Sequence, residues 1–329
     1  MNNEIINRDM IEVERKKDIP LVTVRCTVYN HEKYLRNCLD GIVMQKTNFV
    51  FHAIVHDDAS TDKSAVIIKE YATRYPTIIK PIFEMENQYS KGGEFLSRIM
   101  EEHTLGKYVA YCEGDDYWTD PYKLQKEVDI LERNNNVKLV YTSYSNVDED
   151  GNLIIRPAYE RNKRISHSGN ILGELFNRNF VMTVTVCLRK DILDTELYKN
   201  CKWKYDYSFT FAASMLGEVV YLPDDTSCYR LNPNSLTQVK RKQVLGDLEK
   251  IKEYYALALL NNEGRRYNLR EKILLRLSIM GQREWKLFFK AFFSDFLCLI
   301  LSPFALIVKL VREIMSRINL FIYVFKKYF

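Results

Sequence analysis

The chain has 329 residues, 47% hydrophobic and 28% charged, with a formal net charge of +5 and only 12 glycines and 8 prolines. That composition excludes a disordered chain or a low-complexity repeat, and no self-similar period marks a solenoid or propeller. The charge is uneven: residues 240–329 carry 18 Lys and Arg against 8 Asp and Glu, so the body before them is acidic, which argues against a nucleic-acid-binding surface.

The first 19 residues read as an extension, with Asp9, Glu12, Glu14 and Asp18 among basic residues and no apolar core, so they are not expected to be a secretory signal. Leu21 to Val28 is a β-branched run and predicts a strand. From Glu32 the apolar residues Tyr34, Leu35, Cys38, Leu39, Ile42 and Val43 recur at three and four, which predicts a helix. The alternation continues with a strand over Phe49 to His56, a helix over Asp62 to Tyr75 and a strand over Ile78 to Phe83, then a helix over Glu94 to Glu102 and a strand over Lys107 to Cys112. Serial βα units imply a mainly parallel sheet flanked by helices, with ligands bound past the strand ends.

Pro121 to Asn134 predicts a helix with proline in its first turn, Val137 to Ser145 a strand, and Asp150-Gly151 a tight turn. A helix near Asn170 to Asn177, a strand over Val181 to Leu188, a helix over Tyr205 to Met215 and a strand over Glu218 to Leu222 follow. After Asn232-Pro233-Asn234-Ser235 the pattern becomes helical, over Gln243 to Leu260 and Leu269 to Ile279. The expected organisation is therefore an extension over 1–19, an α/β domain over 20–238 whose nucleotide-binding half ends near residue 120, and a helical, basic and apolar region over 239–329.

The seven cysteines are scattered, without a CxxC pair or zinc-like spacing, and read as reduced buried thiols of a cytoplasmic protein. No GxGxxG or P-loop follows a predicted strand, which disfavours dinucleotide and P-loop chemistry.

Three segments carry chemistry. Tyr111-Cys112-Glu113-Gly114-Asp115-Asp116-Tyr117-Trp118 runs a strand into three acids within four residues, an arrangement suited to a hard divalent cation and otherwise readable as an acidic turn capping the next helix. His56-Asp57-Asp58-Ala59-Ser60-Thr61-Asp62 supplies helix-capping groups in Ser60 to Asp62, leaving Asp57 and Asp58 to accept hydrogen bonds from a base or ribose. Thr27-Val28-Tyr29-Asn30 places an aromatic after the first strand, where it could stack on a base or serve as core.

In this order the three segments resemble the family-2 glycosyltransferases of GT-A fold, whose first strand ends in Tyr-Asn, whose second is followed by D-D-x-S-T-D, and whose nucleotide half closes on a D-x-D metal motif. The resemblance covers about the first 240 residues. It implies that Thr27, Tyr29 and Asn30 line the nucleoside pocket together with Asp57, that Asp58 contacts the base, and that Glu113 and Asp115 occupy the two acidic places of the motif for Mn²⁺ or Mg²⁺, with Asp115 the direct ligand and Asp116 sharing its work. Glu113 stands where the family usually has Asp and is assigned to the donor. Lys204-Tyr205-Asp206-Tyr207-Ser208 resembles the place of the family's general base, giving Asp206 that role, and Cys228-Tyr229-Arg230 resembles its closing Tyr-Arg segment near the phosphates.

The implied activity is inverting transfer of a sugar from a nucleotide-diphosphate donor, a UDP-sugar, to a saccharide or lipid-linked saccharide in surface polysaccharide biosynthesis. The alternative is a catalytically silent nucleotide-sugar-binding module of the same fold. In the tail, the longest uncharged stretch from Phe296 to Val308 has 13 residues and contains Pro303, too short for a span. With Lys309, Arg312, Arg317, Lys326 and Lys327 after it, this stretch reads as an interfacial helix on an anionic membrane, or as a helical pair that packs on the domain or forms a homo-oligomer. The expected location is the inner face of the cell membrane.

Overall fold

A computed structural model of the chain describes residues 19–232, 235 and 239–261. The described chain divides into two compact units, the larger holding residues 19–171 and 179–247 and the smaller holding 172–178 and 248–261.

The larger unit is built on one eight-stranded sheet, in the order β3-β2-β1-β4-β7-β6-β8-β5. Its strands are β1 (Val22–Val28), β2 (Phe51–Asp57), β3 (Ile79–Phe83), β4 (Tyr108–Tyr111), β5 (Tyr117–Trp118), β6 (Val137–Val147), β7 (Val186–Arg189) and β8 (Glu218–Arg230). Strands β3, β2, β1 and β4 pair in parallel, as the serial βα pattern requires. β7 then inserts antiparallel between β4 and β6, and β5 pairs antiparallel with β8, so the second half is mixed.

The helices follow the apolar periodicity. α1 (Leu35–Val43) buries Leu35, Cys38, Leu39 and Ile42, and α2 (Ser64–Arg74) buries Ile67, Ile68 and Tyr71. These side chains close over Val22, Val24, Cys26 and Val28 of β1 and Ala53 and Val55 of β2 in one apolar cluster. Gly41 lets α1 approach the backbone of Trp118, where an added Cβ would sit 2.7 Å from the carbonyl oxygen. Next come α3 (Gln88–Lys91), α4 (Gly93–Glu102) and α5 (Lys123–Arg133), the last burying Leu124, Val128 and Leu131.

Beyond β6 the structure departs from the sequence expectations. α6 (Pro157–Ile165) occupies a stretch without apolar periodicity. The strand expected over Val181 to Leu188 begins as a 3-10 turn at Thr183–Thr185, and only Val186–Arg189 is extended. Two short helices follow, α8 (Asp191–Asp194) and α9 (Glu196–Lys199), and then α10 (Asp206–Leu216). β8 runs to Arg230 rather than stopping at Leu222, because a register shift against Thr142 and Ser143 absorbs Pro223 and Asp224. In the smaller unit lie α7 (Leu172–Asn177) and most of α11 (Arg241–Asn261). No described helix is long and apolar enough to cross a membrane. The helix expected over Leu269 to Ile279 and the apolar stretch from Leu287 onward lie outside the described residues.

Candidate active site

Register gathers the three chemistry-bearing segments. Val28 pairs with Asp57 and Arg25 with Tyr111, so β1, β2 and β4 deliver their C-terminal loops to one edge of the sheet. Backbone bonds prolong the ladders into the loops: Asp58 N donates to Val28 O at 2.9 Å, Cys112 N to Arg25 O at 3.1 Å and Gly114 N to Thr27 O at 3.0 Å. Gly114 has no room for a side chain, since a Cβ would lie 2.6 Å from His31 Nδ1 and 3.0 Å from Val28 Cγ2. The acidic loop is thus pressed onto the end of β1.

There Glu113, Asp115 and Asp116 bring one carboxylate oxygen each to within 4.8 Å of one another. The electrostatic consequence is large. Burial first, then the charges of Asp115 and Asp206, push Glu113 up to about 8. Burial, then Asp115 and Glu113, also hold Asp116 well above the usual carboxylate range. Glu113 reaches solvent, whereas Asp116 is buried. An all-oxygen donor set whose members repel one another fits a hard divalent cation, which would relieve the repulsion.

Arg230 holds this loop from behind. It is only 3% exposed; its backbone N donates to Asp116 Oδ1 at 2.8 Å, its Nε to Asp115 O at 2.9 Å, and its Nη1 to Asp148 O at 2.8 Å and Glu149 O at 3.2 Å. The guanidinium also lies over the rings of Tyr34 (4.7 Å) and Tyr117 (5.5 Å). Sequence reading set Arg230 beside phosphates; the structure spends most of its donors on carbonyls. Tyr229 lies beside the acids, its phenol pushed well up by burial and then by Asp116.

The loops after β1 and β2 lock together through groups that the sequence assigned to the donor. Asn30 has φ 56° and Ala59 φ 61°, left-handed conformations uncommon outside glycine. Asn30 N donates to Ser60 Oγ at 2.9 Å, and Asn30 Oδ1 accepts from Thr61 N at 2.8 Å, which holds both residues in place. Tyr29, at the end of β1, is left 48% exposed, and Thr27 is half-buried.

Asp58 uses both oxygens as acceptors, from Gln88 N at 2.6 Å and Tyr89 N at 3.1 Å, so it fixes the start of α3. Asp57, 3% exposed, accepts only a long bond from Ser60 N (3.4 Å), and its Oδ1 has no partner. An unmatched buried acceptor is costly in a folded protein, so Asp57 Oδ1 is an acceptor that no described protein group satisfies.

Asp206 opens α10. Its Oδ2 accepts from Thr183 Oγ1 at 2.8 Å and its Oδ1 from Tyr207 N at 2.7 Å, while burial holds its carboxyl above the ordinary value. Asp206 also contributes to the rise of Glu113, so the acid of α10 and the acids after β4 share one electrostatic site. The 3-10 turn that replaces the expected strand start is what supplies Thr183. Sequence reasoning also missed Trp118, whose Nε1 donates to Val184 O at 2.9 Å and whose ring lies 4.9 Å from Lys123 Nζ, itself in a fully buried pair with Glu127. The six described cysteines are all buried; Cys38 Sγ lies 3.7 Å from Cys26 Sγ and 3.6 Å from Cys112 Sγ, directly before the acidic loop.

A parallel first half, a mixed second half and acids at the joint match the GT-A type of fold, and solved structures of that type superpose on this chain. Staphylococcus aureus TarS in complex with UDP-GlcNAc matches with a TM-score of 0.57 at 16% identity, covering 78% of this chain and 71% of TarS. The mannosyltransferase PcManGT from Pyrobaculum calidifontis, in complex with GDP-Man and Mn²⁺, matches with a TM-score of 0.54 at 14% identity, covering 90% of this chain and 80% of PcManGT. At the sequence level, residues 23–196 match the model of glycosyl transferase family 2. The chain belongs to that family. It is 33% identical over 211 residues to an uncharacterized protein of Mycobacterium tuberculosis, a match that covers 63% of this chain and 58% of the relative's length.

Proposed function

We propose that the chain is an inverting glycosyltransferase that moves a sugar from a nucleotide-diphosphate donor, a UDP-sugar, to a hydroxyl of a saccharide or lipid-linked saccharide acceptor in surface polysaccharide biosynthesis. The observation that carries the reading is the convergence of Glu113, Asp115 and Asp116 within 4.8 Å at the sheet edge, with Asp206 close enough to raise Glu113. Family membership and the UDP-GlcNAc and GDP-Man of the superposing structures support this class of donor.

In this reading Tyr29 and Thr27 flank the nucleoside, and Asp57 Oδ1 accepts from it. Asp58 and Asn30 act on the pocket by holding its two loops together. Asp115 and Asp116 would hold Mn²⁺ or Mg²⁺, with Glu113 at the donor and Tyr229 alongside. When bound, the cation supplies the positive charge that neutralises the diphosphate leaving group. Asp206 does the proton chemistry. Its Thr183 and Tyr207 bonds fix the carboxylate, and burial makes it a stronger base than a solvated aspartate. It takes the acceptor hydroxyl's proton as that oxygen bonds to the anomeric carbon; the bond from that carbon to the diphosphate breaks on the opposite face, and configuration inverts.

The test is release of nucleoside diphosphate from a panel of UDP- and GDP-sugars by the full chain, with EDTA and then with added Mn²⁺. Metal-dependent release from one donor supports the reading. No release from any donor at any metal concentration, with nucleotide binding intact, would instead mark a silent binding module. The basic, apolar region from residue 262 onward, with its isolated Lys and Arg, supports a peripheral position on the inner face of the membrane.

A further inference from the structure

After β6 the chain reverses through a turn that its own hydrogen bonds make rigid. Asp148 N donates to Asn152 O at 2.9 Å, the Asp148 carboxylate accepts from the backbone N–H groups of Asp150 and Asn152, and Ile154 N returns to Asn146 O at 2.8 Å. Two acids of the turn are paired with Lys33, which reaches Asp150 at 3.1 Å and Glu149 at 3.8 Å. This fixed backbone nevertheless presents Leu153 at 74% and Ile155 at 83% exposure. Arg156 follows at once, and Arg161 and Arg164 share the outward stripe of α6 with Ala158, all four exposed, while Asn162 is buried.

Two exposed aliphatic side chains on a segment that also carries three exposed guanidinium groups match the interface of an anionic bilayer. Hydrocarbon accepts the first and lipid phosphates the second. The chain's own tail is a poor occupant, since residues 240–329 are themselves basic, with 18 Lys and Arg against 8 Asp and Glu. The segment also neighbours the acidic site: Tyr159, on the same helix, lies 6.0 Å centroid to centroid from the ring of Tyr229, which sits in the field of Asp116.

We infer that residues 153–164 dock the larger unit on an anionic lipid surface, so that the acidic site lies beside the bilayer and its acceptor is presented there on a lipid. This deepens the proposed transferase reading. It is tested without any turnover measurement, so the two can fail separately.

The experiment places a reporter in the full chain. Leu153→Trp is compared with Val66→Trp, a control on α2 that is 64% exposed, each as a difference from the wild-type emission. The probes are vesicles of phosphatidylcholine alone, of phosphatidylcholine with phosphatidylglycerol, and of the same mixture with brominated acyl chains. The expected result is a blue shift and bromine quenching of Leu153→Trp on anionic vesicles only, with Val66→Trp unchanged. In addition, Leu153→Ser with Ile155→Ser should lower the partition coefficient on the order of tenfold at an unchanged melting temperature. Emission of Leu153→Trp that ignores vesicles, or quenching equal to that of Val66→Trp, would overturn the inference. So would emission already shifted to the blue before vesicles are added, which would mean that the tail or a second copy covers the patch.

Discussion

Replacing Arg230 by Met keeps most of the side chain's length and packing against Tyr34 and Tyr117 but removes every guanidinium donor. The structure assigns Nε to Asp115 O (2.9 Å) and Nη1 to Asp148 O (2.8 Å) and Glu149 O (3.2 Å), and leaves Nη2 without a partner, at a residue 3% exposed. Hydrogen bonds from a charged donor contribute about 1.5–3 kcal/mol each. Part of that is offset because a charge no longer has to be buried. A net loss of about 3 kcal/mol follows, which for a domain of this size lowers the melting temperature by about 6–12 °C. Differential scanning calorimetry of the metal-free, donor-free protein measures it directly. Were Arg230 chiefly a phosphate ligand, the variant would melt within about 2 °C of wild type and only donor affinity would fall; that outcome would refute the bracket role.

Asp206→Asn should leave donor affinity nearly unchanged and reduce turnover by about 10²-fold or more, read as separate effects on KM and kcat. Gly114→Ala places a methyl against His31 and Val28 and should destabilise the chain by about 1–3 kcal/mol through overpacking, weakening Mn²⁺ binding in a calorimetric titration. The acids also set a pH dependence. Folded, metal-free protein retains the Glu113 proton to about pH 8, whereas the unfolded chain releases it near 4.5, so the folded state binds more protons in that window. Stability in EDTA should therefore fall as pH rises from about 5 to 8, and Mn²⁺ should reverse the fall; a melting temperature that rises over that range in EDTA would contradict the assignment.

Much of the first half was legible because each element there has a local signature. β1, α1, β2 and α2 carry clean apolar periods, and their ends fall within a few residues of the expected ones. The second half depends on partners that a linear pattern does not carry. Pro223 and Asp224 look like a turn, and only the register shift against β6 keeps β8 extended through them. α6 reads Pro-Ala-Tyr-Glu-Arg-Asn-Lys-Arg-Ile, polar around most of its circumference, so no apolar stripe announced it. At the site, composition and order located the acids, whereas the division of labour between neighbours was hidden. Nothing in the pair Asp57-Asp58 says that one caps α3 with both oxygens while the other retains an unpartnered Oδ1. Likewise Arg230 is as plausible beside a phosphate as beneath a loop until its carbonyl partners are seen.

The most direct measurement is anomalous scattering from crystals grown with Mn²⁺ and the donor nucleotide. The account predicts a manganese peak held by the Asp115 or Asp116 carboxylate beside the diphosphate, with Asp206 facing the sugar on the other side. Nucleotide bound with no manganese at these acids, or manganese held elsewhere while Asp115 and Asp116 face bulk water, would contradict it.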